Sequence, residues 1–260
     1  MTPPDDAPAT RPAATVVVFR RSADGGPPQL LLLERSGAMA FAGGATVFPG
    51  GAVDAHDRVL ATAMPGAGAL DPDDAAARVA AVREALEESG LVVGVHGAVT
   101  AASAAAARRR LLEGAAFGTV LADHGWTIAF DRLIPFARWW PRQREVRVFD
   151  TRFYLADLGT GALDLVVDAT ENRHLFWASA QQALELADAG AIRVIFPTRR
   201  NLERLALWSD FAAARDHALA TPLRTISPRI ETRNGVPWLV IPADAGYPVD
   251  GEPLAGVARG

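Results

Sequence analysis

A mixed α/β fold is predicted by three features of this 260-residue sequence. β-Branched or leucine-rich runs alternate with alanine-rich helical segments, no internal repeat is present, and half of the residues are hydrophobic. That pattern, with a core of that size available, points to one large unit of packed sheet and helices. No linker splits the chain into two folding units.

Composition narrows the chemistry before any motif is read. The chain has no cysteine, which excludes disulfides, thiolate metal sites and a cysteine nucleophile. All 26 basic residues are arginine, so Schiff-base chemistry and a lysine phosphate loop are excluded too. A net charge of −4 carries no electrostatic footprint for nucleic acid or an anionic membrane. No apolar run reaches the length of a membrane span, and no signal-peptide pattern opens the chain. The expectation is a soluble protein of the bacterial cytoplasm.

The elements follow in order. Residues 1–13, rich in Pro and Ala, are expected to be a disordered leader. "ATVVVFR" (14–20) and "QLLLLER" (29–35) read as strands joined by the turn-forming "SADGGPP", hence a hairpin. "GGATVFPGG" (43–51) sets a short strand between glycine pairs, and residues 52–70 read as loop. Asp71 then caps a helix with Pro72 at its first position and Asp73 and Asp74 at its positive end. That helix runs to Ser89, where Gly90 can take the left-handed stop. Ala75, Val79, Val82 and Leu86 share one stripe, and Glu84, Glu87 and Glu88 fall on the other side.

A second helix is expected at 101–113, with "RRR" (108–110) on a solvated face. Strands follow at 132–140, 147–158, 163–167 and 174–179, then a helix at 180–189. Thr198 is placed as the cap of one long helix at 199–219, with Leu202, Leu205 and Leu207 facing the core. Near the end, Asn234-Gly235 between β-rich arms signals a two-residue hairpin within 229–241.

The chemistry gathers around "REALEES" (83–89). Glu84, Glu87 and Glu88 lie at neighbouring positions of adjacent turns and can converge on one small volume. Read alone, they suit a solvated helix face. Read as a site, they suit Mg²⁺, which takes oxygen ligands and shares its remaining positions with water and phosphate. Upstream, "VFPGGAVDAHD" supplies Pro49, Gly50 and Gly51, a tight backbone path, and then Asp57. The scattered histidines have no ligand spacing, and no Gly-X-Ser-X-Gly elbow is present.

Together these segments resemble the Nudix hydrolase signature. Arg83, Glu84, Ala85, Leu86, Glu87, Glu88, Ser89, Gly90 and Leu91 fill its second half without a gap, while Gly51 and Asp57 fill its first. Asp57 stands where the family usually has Glu, and the spacer from Arg58 to Val82 carries an insertion of 18 residues. An interrupted box with Asp resembles the branch containing the peroxisomal and mitochondrial coenzyme A diphosphatases. "LLLERSGAMAFAGGATVFPGG" (31–51) resembles that branch's upstream motif, keeping Leu31, Leu32, Arg35, Ser36, Gly44 and Phe48–Gly51. Leu33 replaces its Thr, and Ala40 replaces its second Arg.

The resemblance implies a Nudix-type α/β/α sandwich with a mixed sheet, helical additions and a C-terminal β-hairpin. It divides the chain into the leader, a Nudix domain at 14–220 with an insertion at about 58–75, and an extension at 221–260 packed on that domain. It implies Mg²⁺- or Mn²⁺-dependent cleavage of a nucleoside diphosphate linked to another moiety. Coenzyme A or an acyl-CoA ranks first; ADP-ribose, a dinucleotide or a nucleotide sugar is the alternative. A non-catalytic nucleotide sensor is the reading from another class.

In that scheme Glu87 and Glu88 are the main metal ligands, joined by the Gly51 carbonyl, and Glu84 completes the shell or acts as general base. Arg83 orients the acids, with Asp57 its partner, and Glu171 is a second candidate base. Arg35, Phe48, Pro49, Gly50 and Arg147 are assigned to the substrate. In the "RWWPRQREVRVFDTR" segment, Trp139 or Trp140 either stacks on a base or fills the core. The expected partner is a small-molecule diphosphate, not nucleic acid or membrane, and a homodimer is compatible with the sequence.

Overall fold

The computed structural model describes residues 10–36, 42–141, 148–159 and 172–257. Its first strands are β1 (Thr10–Arg20), β2 (Gln29–Arg35), β3 (Thr46–Val47) and β4 (Gly50–Ala52). Helix α1 (Ala55–Ala63) and a 3-10 turn lead into α2 (Pro72–Ser89). Then come β5 (Val95–His96), α3 (Ala101–Leu112), α4 (Phe117–Asp123), β6 (Thr127–Ile128), β7 (Ile134–Trp139), β8 (Val148–Asp157) and β9 (Asn172–Ala178). The chain continues through α5 (Ala180–Asp188), α6 (Phe196–Leu205), α7 (Phe211–Ala220), β10 (Thr225–Ile226), β11 (Arg229–Arg233), β12 (Val236–Val240) and β13 (Gly251–Pro253).

The main sheet is mixed. β1 runs parallel to β8 over ten residue pairs, β10 runs parallel to β7, and the other pairings within it are antiparallel. Alternate residues of the central strands enter opposite cores, as the two-residue period of a strand requires. Val16, Val18, Leu31 and Leu33 pack into the core formed with α1 to α4. Val17, Phe19, Leu30 and Leu32 pack into the core formed with α5 to α7. The architecture is therefore the expected α/β/α sandwich, with β11, β12 and β13 forming a separate antiparallel sheet.

One irregularity of the sheet positions the site. β1 and β2 pair only at Phe19↔Leu30 and Arg20↔Gln29. β3 then follows β2, β4 follows β1, and Phe48 and Pro49 cross from one to the other. Val16 N–H bonds the Pro49 carbonyl at 2.9 Å, which delivers Gly50 and Gly51 to the open end of β1.

Several expectations need correction. β1 starts at Thr10, inside the expected leader, because Thr10–Ala13 find a parallel partner in β8. Residues 52–70 are largely helical: α1 is capped by a reciprocal Asp54–Asp57 box and packs on α2. The long helix expected at 199–219 is two helices, and Thr198 lies inside the first of them. Asp210 accepts from Ala213 N–H and starts α7 afresh, a cap that wins over continuous helix. Leu207 falls in the break and is exposed. α2 is not amphipathic in the ordinary sense. Its alanines admit α1, α3 and the sheet at close range, so even Glu88 is buried.

The Asn234-Gly235 hairpin forms as read, both residues taking positive φ. The strand expected at 163–167 lies outside the described residues. Among those described, no helix is long and apolar enough to cross a membrane.

Candidate active site

The C-terminal half of α2 meets α1 and the Gly50-Gly51 loop, and Arg83 lies where they join. Its guanidinium grips Asp57 with two bonds of 2.9 Å, the planar fork matching the carboxylate. Nη1 bonds Glu84 and Glu87 at 2.9 Å each, and Nη2 bonds the Ala52 carbonyl at 3.0 Å. The Arg83–Asp57 pair expected from the sequence is thus present across the 18-residue insertion. Asp57 does a second job, since its carboxylate also accepts from Asp54 N–H at the start of α1. The inserted helix is clamped to α2 by the acid of the box itself.

Glu88 reaches the other way. Its Oε2 accepts from Gly50 N–H at 2.8 Å. Gly51 lies against Glu84 so closely that a Cβ there would fall 2.4 Å from Glu84 Oε1. A Cβ on Gly50 would strike the Ala14 carbonyl oxygen at 2.4 Å. Close approach to backbone therefore requires glycine at 50, while a side chain at 51 would push the Glu84 carboxylate aside.

Charge is unevenly matched here. Burial pushes the Glu84 carboxyl up to about 8, against the pull of Arg83 and with help from Glu88 and Glu87. Glu87 is raised as well, burial again outweighing Arg83. Burial works against the charge on Arg83, but the Asp57 bond and the Glu84, Asp57 and Glu87 charges overcome it, so Arg83 stays a cation. Such shifts are those expected of a buried acid cluster facing one guanidinium.

Among the described residues, no three His, Asp or Glu side chains already stand in a metal-holding arrangement, since Glu84 and Glu87 turn to Arg83 and Glu88 to Gly50. The donor set itself fits a hard divalent cation: three carboxylates on adjacent turns, with the side-chain-free Gly51 backbone against Glu84.

The substrate residues are dispersed. Gly50 and Pro49 belong to the loop just described. Phe48 is buried in the core beside α5 and α6 instead of lining the acidic cluster, because the crossing from β3 to β4 turns its ring inward. Trp139 likewise fills that core, edge-on to Phe196. Arg35 ends β2 with its Nε buried and, among the described residues, without a hydrogen bond. Ala40, Arg147 and Glu171 lie outside the described residues.

Two contributors escaped the sequence reading. Asp54 caps α1 and lies 3.8 Å from Arg83; its spacing to Asp57 was a legible helix-start signal. Arg108, expected on a solvated face, is buried under the end of α2 and bonds the carbonyls of Glu87 and Glu88. No local pattern marks it.

No protein-family model and no curated protein matches this sequence. Solved structures do. A Nudix hydrolase from Alicyclobacillus acidocaldarius is 26% identical and superposes with a TM-score of 0.68, over 80% of this chain and 96% of that one. Looser likenesses include the NUDIX domain of Shewanella oneidensis NrtR complexed with ADP ribose, at 13% identity, TM-score 0.41, and 78% and 90% coverage. An Ap4A hydrolase from C. elegans is 18% identical with a TM-score of 0.37, over 68% and 86%. The first of these, with the layer order and the filled box, gives this chain the Nudix fold and makes it a hydrolase of the Nudix type.

Proposed function

We propose that this Nudix-type hydrolase cleaves the diphosphate of a nucleoside diphosphate linked to another moiety, with Mg²⁺ or Mn²⁺, and that coenzyme A or an acyl-CoA is its substrate. One observation carries the reading: Glu84, Glu87 and Glu88 are gathered with Arg83 against the Gly50-Gly51 backbone, deep enough that solvent does not explain their placing.

Glu84, Glu87, Glu88 and the Gly51 carbonyl would hold the cation. When bound, such an ion neutralises the diphosphate, polarises the scissile P–O bond and lowers the pKa of water. Arg83 and Asp57 keep the acids on one side of α2, so that ordering them costs little when substrate arrives. Glu84 completes the ligand shell or receives the proton of the attacking water; Glu171 is the other candidate for that proton. Arg35, at the end of β2, keeps a donor for a phosphate.

The upstream motif supports coenzyme A, and the Ala40 replacement favours ADP-ribose, a dinucleotide or a nucleotide sugar as the alternative. A small-molecule diphosphate in the bacterial cytoplasm is the partner this reading implies. A panel of coenzyme A, acetyl-CoA, ADP-ribose, NADH, FAD and UDP-glucose, with Mg²⁺ or Mn²⁺ and with or without EDTA, tests it. Metal-dependent release of 3′,5′-ADP from coenzyme A is the expected result. Turnover of another member would keep the chemistry and change the substrate. Binding of a panel member without turnover would replace the enzyme reading with a sensor.

A further inference from the structure

We infer that Arg108, a residue of α3 outside the Nudix box, is a positioning residue for the acidic cluster and sets its affinity for the divalent cation. The inference rests on the metal reading above.

The last turn of an α-helix leaves carbonyls without partners inside the helix. In α2 that turn carries Glu87 and Glu88, and the carbonyls from Ala85 to Glu88 each meet a donor. Leu86 O accepts from Gly90 N–H at 2.9 Å, and Ala85 O from the Ser89 hydroxyl at 2.6 Å. Glu87 O accepts from Arg108 Nε at 2.9 Å, and Glu88 O from Nη2 at 3.4 Å. The two carbonyls served by the guanidinium thus belong to the two residues assigned as principal ligands.

The fit is close on the stem as well. Gly90 takes φ +76, and a Cβ there would come 3.4 Å from Arg108 Cδ, so the side chain passes directly over the helix end. Arg108 is only 6% exposed, unlike a cap that snorkels into water. Its positive charge also lies at the negative end of the α2 dipole.

The consequence concerns geometry more than stability. Glu88 reaches Gly50 N–H, and Glu87 reaches Arg83, only from backbone positions that the last turn fixes. A frayed turn would let both carboxylates wander, and a site held loosely binds its ion and aligns its water less well. Arg108 thus acts on the reaction through two other residues and touches no reacting atom. One planar fork spanning adjacent carbonyls explains why arginine serves here; lysine could reach one carbonyl at a time.

Mn²⁺ binding to the metal-free protein, measured by calorimetry, tests this without substrate. Arg108→Met is expected to weaken Mn²⁺ at least tenfold, and Arg108→Lys to recover part of the loss. Leu111→Ala, which thins the packing of the same helix without removing a donor, serves as the control and should lower the melting temperature with Mn²⁺ affinity unchanged. If Arg108→Met bound Mn²⁺ as the parent does, or if Leu111→Ala weakened it equally, the positioning role would be overturned and the metal reading would stand. A parent protein that bound no Mn²⁺ would overturn both together.

Discussion

Two clusters of buried arginine and carboxylate hold this molecule together, and their charge balances differ. Around Arg83, a single guanidinium bonds or pairs with Asp57, Glu84 and Glu87, while Glu88 sits on the same turn. Around α6 the account is reversed. Arg200 bonds Glu203 at 2.7 Å and Glu252 at 2.9 Å, and Arg199 stands by the same two acids. Arg204 lies over the rings of Phe136 and Tyr247 and donates to the Phe136 carbonyl. The α6 cluster is matched within itself and ties the C-terminal segment to the sandwich. The acidic cluster is left with negative charge that a cation can neutralise. Burial of arginine alone therefore says nothing of function; the ratio of acid to base does.

The largest expected effect would break the comparison at the acidic end. Glu87→Gln keeps the shape and removes one charge, so kcat on whichever substrate the parent cleaves should fall roughly 10²–10³-fold, with melting little changed. Activity equal to the parent's would remove Glu87 from the metal shell.

At the other cluster the effect should be on stability. Arg200→Met leaves Glu203 and Glu252 with Arg199 alone, at 3.4 and 3.7 Å, so the loss should fall at or below the roughly 3–5 kcal/mol of a fully broken buried pair. A urea titration should show the loss, while turnover per folded molecule stays at the parent value. A matching fall in turnover would mean that the α6 cluster reaches the site.

Gly51→Ala sharpens the boundary between cluster and loop. Its methyl would displace the Glu84 carboxylate, so activity should fall about tenfold with modest loss of stability. Gly50→Ala meets backbone instead and should cost stability first, about 1–3 kcal/mol.

The smallest effect is one of pH. Arg204 Nε donates to His217 Nε2 at 3.2 Å, which requires that nitrogen to be unprotonated. Burial, and then the Arg204 charge, hold the His217 pKa below its ordinary value. The unfolded chain therefore takes up this proton before the folded one does. The contribution is complete above about pH 6.5 and is lost as pH falls below it. His217→Gln should flatten the acid limb of a stability-against-pH curve; an unchanged limb would discount the contact.

How much was legible follows from range. The α2 caps, the first hairpin and the Asn234-Gly235 turn are legible because each signal spans only a few residues. Residues 52–70 look like loop in the sequence because Pro65, Gly66 and Gly68 dominate the composition and hide the Asp54–Asp57 start. The expected helix at 199–219 failed for a related reason: helical periodicity continued past a break that only the Asp210 cap announces.

By itself, the sequence determined the acid spacing on α2, the glycines beside it and the Nudix likeness, since all of these are local order along the chain. The tertiary structure alone decided which arginines lie inside. Arg83 meets Asp57 from 26 residues away, and Arg108 meets Glu87 from 21. Three consecutive arginines at 108–110 look alike in one dimension, yet only Arg108 is buried, because α3 presents that position to the end of α2. Helix packing settles such a choice, and it is written in no short stretch of residues.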